Sequence, residues 1–434
     1  MPLLRKAILV NSAEFVCLAI GLAQTIILTR VLGPAGIGRY SLINSTLMLT
    51  AQFCCLGFPI SFLYHSQHDP DNTKEYLTNA IWMSLFLGIS GGLVLVALIY
   101  SKIGYFGHVP WFTLLGVGLY VPIVLQSGIA RQNLLIKIEA KKLSFMSIFV
   151  TTGAFLLVLI LWSLGLLGVG QAILCFVSMA VFRAGIGWYW MRKDVDFSIK
   201  PTWHTSRKLS LMGIRLSWAD VMVLLNSTLN IMIIKFFIED FKSVGYFSRG
   251  LQIAMLIVTT SQAIFPLLFS RFASLKDGEL VGNLEKAMRF ISTACVIMIL
   301  GVLVTAKWLV ILMYGREFLP AVKPMMILLP GTGIYLISRV LLMFLSSRGK
   351  PEWSVLALFL GAMVNATLCW ILIPLLGIEG AALSFTISNV GLLVTMVVIV
   401  ISKYKVNPTR CLLMSRNDCK DIMKQLTYRS PCNV

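Results

Sequence analysis

Twelve apolar runs follow one another along the chain, at residues 7–28, 40–63, 77–100, 110–130, 143–165, 170–190, 211–237, 246–270, 289–312, 322–345, 353–375 and 380–402. A helix that crosses a bilayer needs roughly 20 mostly apolar residues, because the hydrocarbon core is about 30 Å thick and gives the backbone no partner but itself. The connections are short, and only 191–210, 271–288 and the stretch after 403 are longer. The pattern predicts an all-α polytopic membrane protein of about 12 transmembrane helices with no soluble domain of useful size. Composition agrees: 13% of the 434 residues are charged, against about a quarter in an ordinary soluble domain. The first run contains Glu14 and ends at Thr29-Arg30 without a small-residue cleavage pattern, so it reads as a span rather than a signal peptide.

The net charge of +19 does not indicate nucleic-acid binding, because the basic residues are spread over short loops instead of gathered in one domain. Their placement reports topology. With the N-terminus inside, 25 of the 37 Lys and Arg fall on the inner side and 9 on the outer, leaving Arg183, Arg215 and Arg339 in spans. Both termini are therefore expected in the cytoplasm, with the protein in the inner (cytoplasmic) membrane. Nine cysteines lie in spans or in the basic tail, where thiols stay reduced. No disulfide is expected, and Cys411, Cys419 and Cys432 lack the spacing of a metal site.

The two halves resemble each other. Gly38-Arg39-Tyr40-Ser41 aligns with Gly245-Tyr246-Phe247-Ser248, and Phe58-Pro59 with Phe265-Pro266, both at an offset of 207. Leu166 to Ala172 (LLGVGQA) aligns with Leu375 to Ala381 (LLGIEGA) at an offset of 209. A nearly constant offset close to half the chain indicates a duplicated six-helix unit. Six crossings return the chain to its starting side, so the repeats are parallel, as in transporters that bind substrate between their halves. The expected organisation is a lobe over 1–200, a second over 201–402 and a basic cytoplasmic tail over 403–434.

Ionised groups inside a span usually face a protein interior or an aqueous cavity, since each costs about 2.5–3.5 kcal/mol at the centre of a membrane helix. In the seventh run, Arg215, Asn226 and Asn230 fall within about 60° of one another on a helical wheel. Asp220 and Lys235 lie off that stripe, and the equivalent first run carries Asn11, Glu14 and Gln24. Arg215 and Lys235 either line a cleft or snorkel from helix ends. Glu14 and Asp220 are too short to snorkel far, and either couple transport to protons or sodium or form structural ion pairs.

Arg30 and Arg39 flank a Gly-rich turn over residues 31–38, and Lys235, Lys242 and Arg249 flank its counterpart, so both outer turns are cationic against the general trend. That suits the exit of an anionic substrate, or tight turns with solvated charges. Neither Gly33/Gly36/Gly38 nor Gly349-Lys350 forms a phosphate-binding loop, which argues against direct use of ATP. Asp69-Pro70-Asp71, beside His65 and His68, resembles the D-x-D of glycosyltransferases but sits in a short loop without a nucleotide-binding domain. With no nucleophile–base constellation, an enzyme is not expected. Gly88-x-x-x-Gly92 permits close helix packing, and Trp188-Tyr189-Trp190 before Arg192-Lys193 reads as an interfacial belt.

The segment Leu28–Ser41 (LTRVLGPAGIGRYS) resembles the signature after the first helix of bacterial polysaccharide flippases, the O-antigen and capsule repeat-unit translocases of the multidrug/oligosaccharidyl-lipid/polysaccharide exporter superfamily. Leu312–Ala321 (LMYGREFLPA), Gly349-Lys350-Pro351, Asn365 and Ile373–Ala382 (IPLLGIEGAA) agree with it. The resemblance implies two six-helix lobes around a central cleft that opens to each side in turn. It implies as substrate an undecaprenyl-pyrophosphate-linked oligosaccharide, moved from the cytoplasmic to the outer leaflet. It also implies cationic cleft residues for the pyrophosphate, for which Arg30, Arg39, Arg215, Lys235, Arg249 and Arg271 are the candidates. Asn226, Asn230 and Gln24, with Trp218 and Tyr335, are candidate sugar contacts. No cofactor is implied beyond a proton or sodium gradient, and the implied partners are a polysaccharide polymerase and glycosyltransferases. The competing expectations are a small-molecule or drug antiporter of the same superfamily, a membrane-embedded polymerase or ligase, and a non-transporting scaffold.

Overall fold

The computed structural model describes residues 2–196, 200–261, 264–275 and 277–404. Among the described residues every element is helical. The first, α1 (Pro2–Cys55), holds a single non-helical residue, Gly33, at φ 63 and ψ −179. Only glycine reaches that region without strain, and Pro34 starts the second arm with φ already fixed for a helix. The apolar path from Ser12 to His68 runs 57 residues. As one straight helix it would be about 85 Å long, nearly three times the hydrocarbon thickness, so it crosses twice and reverses at Gly33. The turn expected over 31–38 is thus one glycine between two helical arms. A second break at Leu56 and Gly57, both at positive φ, precedes α2 (Phe58–His68).

The remaining helices are α3 (Thr73–Ser101), α4 (Ile103–Phe106), α5 (Trp111–Ile136), α6 (Ala140–Ser163), α7 (Val169–Met191), α8 (Trp203–Ile238), α9 (Phe241–Ser261), α10 (Phe265–Ser274), α11 (Asp277–Tyr314), α12 (Val322–Ser347), α13 (Pro351–Leu376) and α14 (Ile378–Tyr404). Among the described residues ten segments are long and apolar enough to cross a membrane. With the first counted twice and α9 with α10 added, they make the expected twelve crossings. The duplication is visible locally, since Phe58-Pro59 opens α2 and Phe265-Pro266 opens α10, each resuming a broken crossing.

The chain forms two compact units. One comprises Met1–Arg249, Val310–Pro320 and Ile373–Ile378, and the other Gly250–Leu309, Ala321–Leu372 and the chain from Glu379. In the first unit, small residues bring helices close: a Cβ on Gly88 would strike Pro122, and one on Gly92 the Gly118 carbonyl, so the Gly88-x-x-x-Gly92 face of α3 lies directly on α5. Helices α5 and α7 meet through the Tyr120–Phe176 stack, with ring centroids 5.3 Å apart, and through Gly187, which faces Ala130. At the end of α7, Arg192 lies over the Tyr189 ring at 4.5 Å and Lys142 over Trp190 at 5.7 Å.

In the second unit α12 is the central helix, buried along most of its length. Gly331 lets the Thr386 backbone approach, and Thr386 Oγ1 donates to the Ile327 carbonyl at 2.7 Å. Apolar side chains such as Phe86 (75% exposed) in the first unit and Val304 (83%) in the second point outward. A surface of that kind is the one lipid tails cover.

Candidate substrate path

The α1 bend and the α8–α9 turn meet back to back in the first unit. A Cβ on Gly38 would strike the Phe241 carbonyl, and a Cβ on Gly245 the Pro34 carbonyl. Both the glycines and their targets are 207 residues apart in sequence, so the contact is its own image under a local two-fold axis. On that axis Ser41 Oγ donates to Ser248 Oγ at 3.1 Å. This end of the unit is called here the Gly33 end, and the opposite one the Asp69 end.

Four candidate cations gather at the Gly33 end. Arg39 lies over the Phe241 ring at 5.0 Å and Lys235 over the same ring at 4.1 Å. Lys235, 4% exposed, also donates to the Glu239 carbonyl, where α8 stops with Glu239 in a left-handed conformation. Arg30 donates to the carbonyls of Leu312 and Met313. Arg249 is buried, reaches Ser41 Oγ at 3.4 Å and bonds the Tyr314 side chain. Acidic groups are interleaved: Asp240 accepts from the Lys242 and Ser243 backbone amides, and Glu317 lies beside Gly33. The arrangement concentrates cations held by ring faces and carbonyls, with Lys235 and Arg249 buried.

The remaining candidates are elsewhere. Along α8, Asn226 and Asn230 are buried, whereas Arg215, Trp218 and Asp220 are exposed. Arg215 and Lys235 are 20 residues apart on one helix, about 30 Å, so no single pyrophosphate touches both. Glu14 is exposed and Gln24 half-buried on the first arm of α1. In the second unit, Arg271 is exposed and donates to Asn283 Oδ1 at 2.8 Å, while Tyr335 is buried and its hydroxyl accepts from Arg339 Nη1 at 3.3 Å.

The Asp69 end carries a network the sequence did not reveal. Tyr76 donates to Asp69 at 2.9 Å and accepts from Lys208 Nζ at 2.8 Å. Glu75 accepts from Thr205 Oγ1 at 2.5 Å, and Asn79 Oδ1 from the Thr202 backbone amide at 2.9 Å and Ser206 Oγ at 3.2 Å. These bonds clip the start of α3 to the start of α8. Asp69, the first carboxylate of the D-x-D run, also accepts from Asn72, and the Asn72 and Tyr76 bonds hold it below the ordinary carboxylate range. His65 stacks on Tyr76, and no metal-holding cluster occurs among the described residues. Between the two ends is a cavity of about 310 Å³ lined by Met48, Gln52, Cys55, Pro59, Tyr120 and Leu224. It is at the small end of ligand pockets, room for a sugar ring or a diphosphate and not for an oligosaccharide.

Residues 27–323, well over half of the chain, match the family described as polysaccharide biosynthesis protein. The chain belongs to this family. No curated protein sequence matches it. Among solved structures, it is similar to an inward-facing multidrug resistance MATE family transporter of the MOP superfamily (TM-score 0.73, 14% identity, covering 92% of this chain and 99% of that one). It is equally similar to the lipid II flippase MurJ in an inward closed conformation (TM-score 0.73, 12% identity, 98% and 94%). A third similar structure is a MOP superfamily transporter from Pyrococcus furiosus described as having a binding pocket of reverse polarity (TM-score 0.64, 14% identity, 93% and 96%). The chain therefore has the twelve-helix, two-repeat fold of these membrane transporters.

Proposed function

We propose that the protein is a flippase that carries an undecaprenyl-pyrophosphate-linked oligosaccharide, an O-antigen or capsule repeat unit, from the cytoplasmic to the outer leaflet by alternating access. The observation that carries this reading is membership of the polysaccharide biosynthesis family on a fold shared with a lipid II flippase. The cations at the Gly33 end, which the charge pattern assigns to the outside, support it as a landing place for the pyrophosphate. A cell interior that is negative favours outward movement of an anion by about 2.3 kcal/mol per charge per 100 mV, so two charges gain roughly 4–5 kcal/mol if they cross fully. The protein then mainly shields the polar head, while the lipid tail stays in the bilayer. Glu14 and Asp220 are the proposed carriers of a coupling proton or sodium ion, and a polymerase and glycosyltransferases of the same assembly route are the proposed partners.

The equal similarity to a multidrug resistance transporter supports a second reading, a cation-coupled small-molecule antiporter. Proteoliposomes separate the two. Transfer of a pyrophosphate-linked oligosaccharide between leaflets, dependent on the protein and faster with an imposed inside-negative potential, is the flippase result. Ion-gradient-driven uptake of small amphiphiles with no lipid transfer would replace it.

A further inference from the structure

Arg183 and Arg131 are electrostatic neighbours within the first unit, and among the described residues neither has a hydrogen bond or an ion pair. Arg183 lies within the sixth apolar run, eight residues, about 12 Å, from the end of α7, and Arg131, just past the fifth run, is five residues, about 7 Å, from the end of α5. Two neighbouring like charges with no carboxylate between them repel each other, and ionised groups within spans commonly mark a substrate or ion pathway.

The surroundings fit a visiting anion. Tyr120, Val124 and Gly128 of α5 line the cavity, and Arg131 continues the same helical face one turn below Gly128. On α7, Arg183 lies within about 20° of Phe176, whose ring stacks on Tyr120. The Tyr120–Phe176 stack and the Ala130–Gly187 contact bracket Arg183 from above and below. Arg183 is thus held against the cavity-lining helix with Arg131, Tyr120 and Cys17 as its electrostatic neighbours. The site belongs to the first half alone, because at offsets of 207 to 209 the counterpart of Arg183 is Val390, Gly391 or Leu392.

We infer that Arg131 and Arg183 form a binding site for the phosphate group of a lipid at the Asp69 end of the cavity, on the level of the inner leaflet. Guanidinium forks suit phosphate oxygens, since each can present two parallel N–H donors. The lipid is either the diphosphate-linked substrate, in which case the inference rests on the flippase reading, or an ordinary anionic phospholipid. Depth distinguishes this site from the Gly33-end cations, and the two would receive the same headgroup before and after crossing.

Equilibrium binding to the purified full-length protein tests the inference, with a polyprenyl diphosphate and phosphatidylglycerol as separate probes. Arg183→Gln and Arg131→Gln are each expected to weaken binding at least tenfold, and Arg207→Gln, an exposed control on α8, to leave it unchanged. Strong preference for the diphosphate would identify the substrate as the occupant, and equal binding of phosphatidylglycerol the bulk leaflet. Unaltered affinity for both probes in Arg131→Gln, whose exposed side chain can be changed without unfolding the protein, overturns the site. Arginine-dependent binding without any lipid transfer would remove the flippase reading and leave the site standing.

Discussion

Ser41 and Ser248, 207 residues apart, hydrogen-bond to each other through their hydroxyls at 3.1 Å. Equivalent residues of a duplicated chain touch only where the axis relating the copies passes between them. The axis here pins the α1 bend to the α8–α9 turn through the Gly38 and Gly245 backbone contacts. If alternating access opens this end, the two serines must part.

A Ser41→Cys, Ser248→Cys double variant, with the native cysteines replaced, is therefore expected to form a disulfide under mild oxidation. Mass spectrometry of the linked peptides checks the bond. Transport should stop on oxidation and recover on reduction, and unaffected transport by the linked protein would show that this contact does not open.

Gly33→Ala should destabilise the protein by about 1–3 kcal/mol, the usual cost of a non-glycine residue in such a backbone region. Gly38→Val should cost a similar amount for a different reason, overpacking against the Phe241 carbonyl. Thermal unfolding in detergent measures both, and a melting temperature equal to wild type in either would contradict the geometry.

Phe241 is the ring that Arg39 and Lys235 share. Phe241→Leu keeps the apolar bulk and removes the ring face, so about 1–2 kcal/mol of stability should go with the two cation–π contacts. Phe236→Leu, whose side chain is largely exposed, is the matched control, and an equal loss in both would argue against a special role for Phe241.

The carboxyl of Asp69 is lowered from its ordinary 3.8 by hydrogen bonds from Asn72 and Tyr76. A depressed acid contributes stability that is complete above its unfolded value and disappears as pH falls through its folded one. Asp69→Asn should therefore lower the melting temperature by a constant amount between about pH 5 and 8, with the difference shrinking below about pH 4. A difference that grew on acidification would have the wrong sign.

Much of the architecture was written in the chain's periodicity. Twelve apolar runs gave the crossings, the 207-residue offset anticipated the Ser41–Ser248 axis, and Gly88 and Gly92 announced the close approach of α5. The site was less legible, for a geometric reason. A helical wheel keeps angle and discards depth, so Arg215, Asn226 and Asn230 shared a stripe on paper although Arg215 is exposed and the asparagines are buried. Convergence of Arg39 and Lys235 on Phe241 depends on two turns packing together, which no local pattern encodes. Nothing local singles out Glu75 and Asn79, because their partners, Thr202 to Ser206, are more than 120 residues away.

The reversal of α1 at Gly33 bears on how the protein enters its membrane. With no loop between the arms, the first crossing cannot be threaded, released and followed later by the second, because there is no slack chain to wait outside. The two arms must partition into lipid together as a helical hairpin, and the biosynthetic machinery has to hold more than fifty residues before either is committed. A tag or protease site inserted between Val31 and Gly38 would then disturb insertion itself, whereas the same insertion between α6 and α7, which residues 164–168 connect, would test only a connection between finished helices.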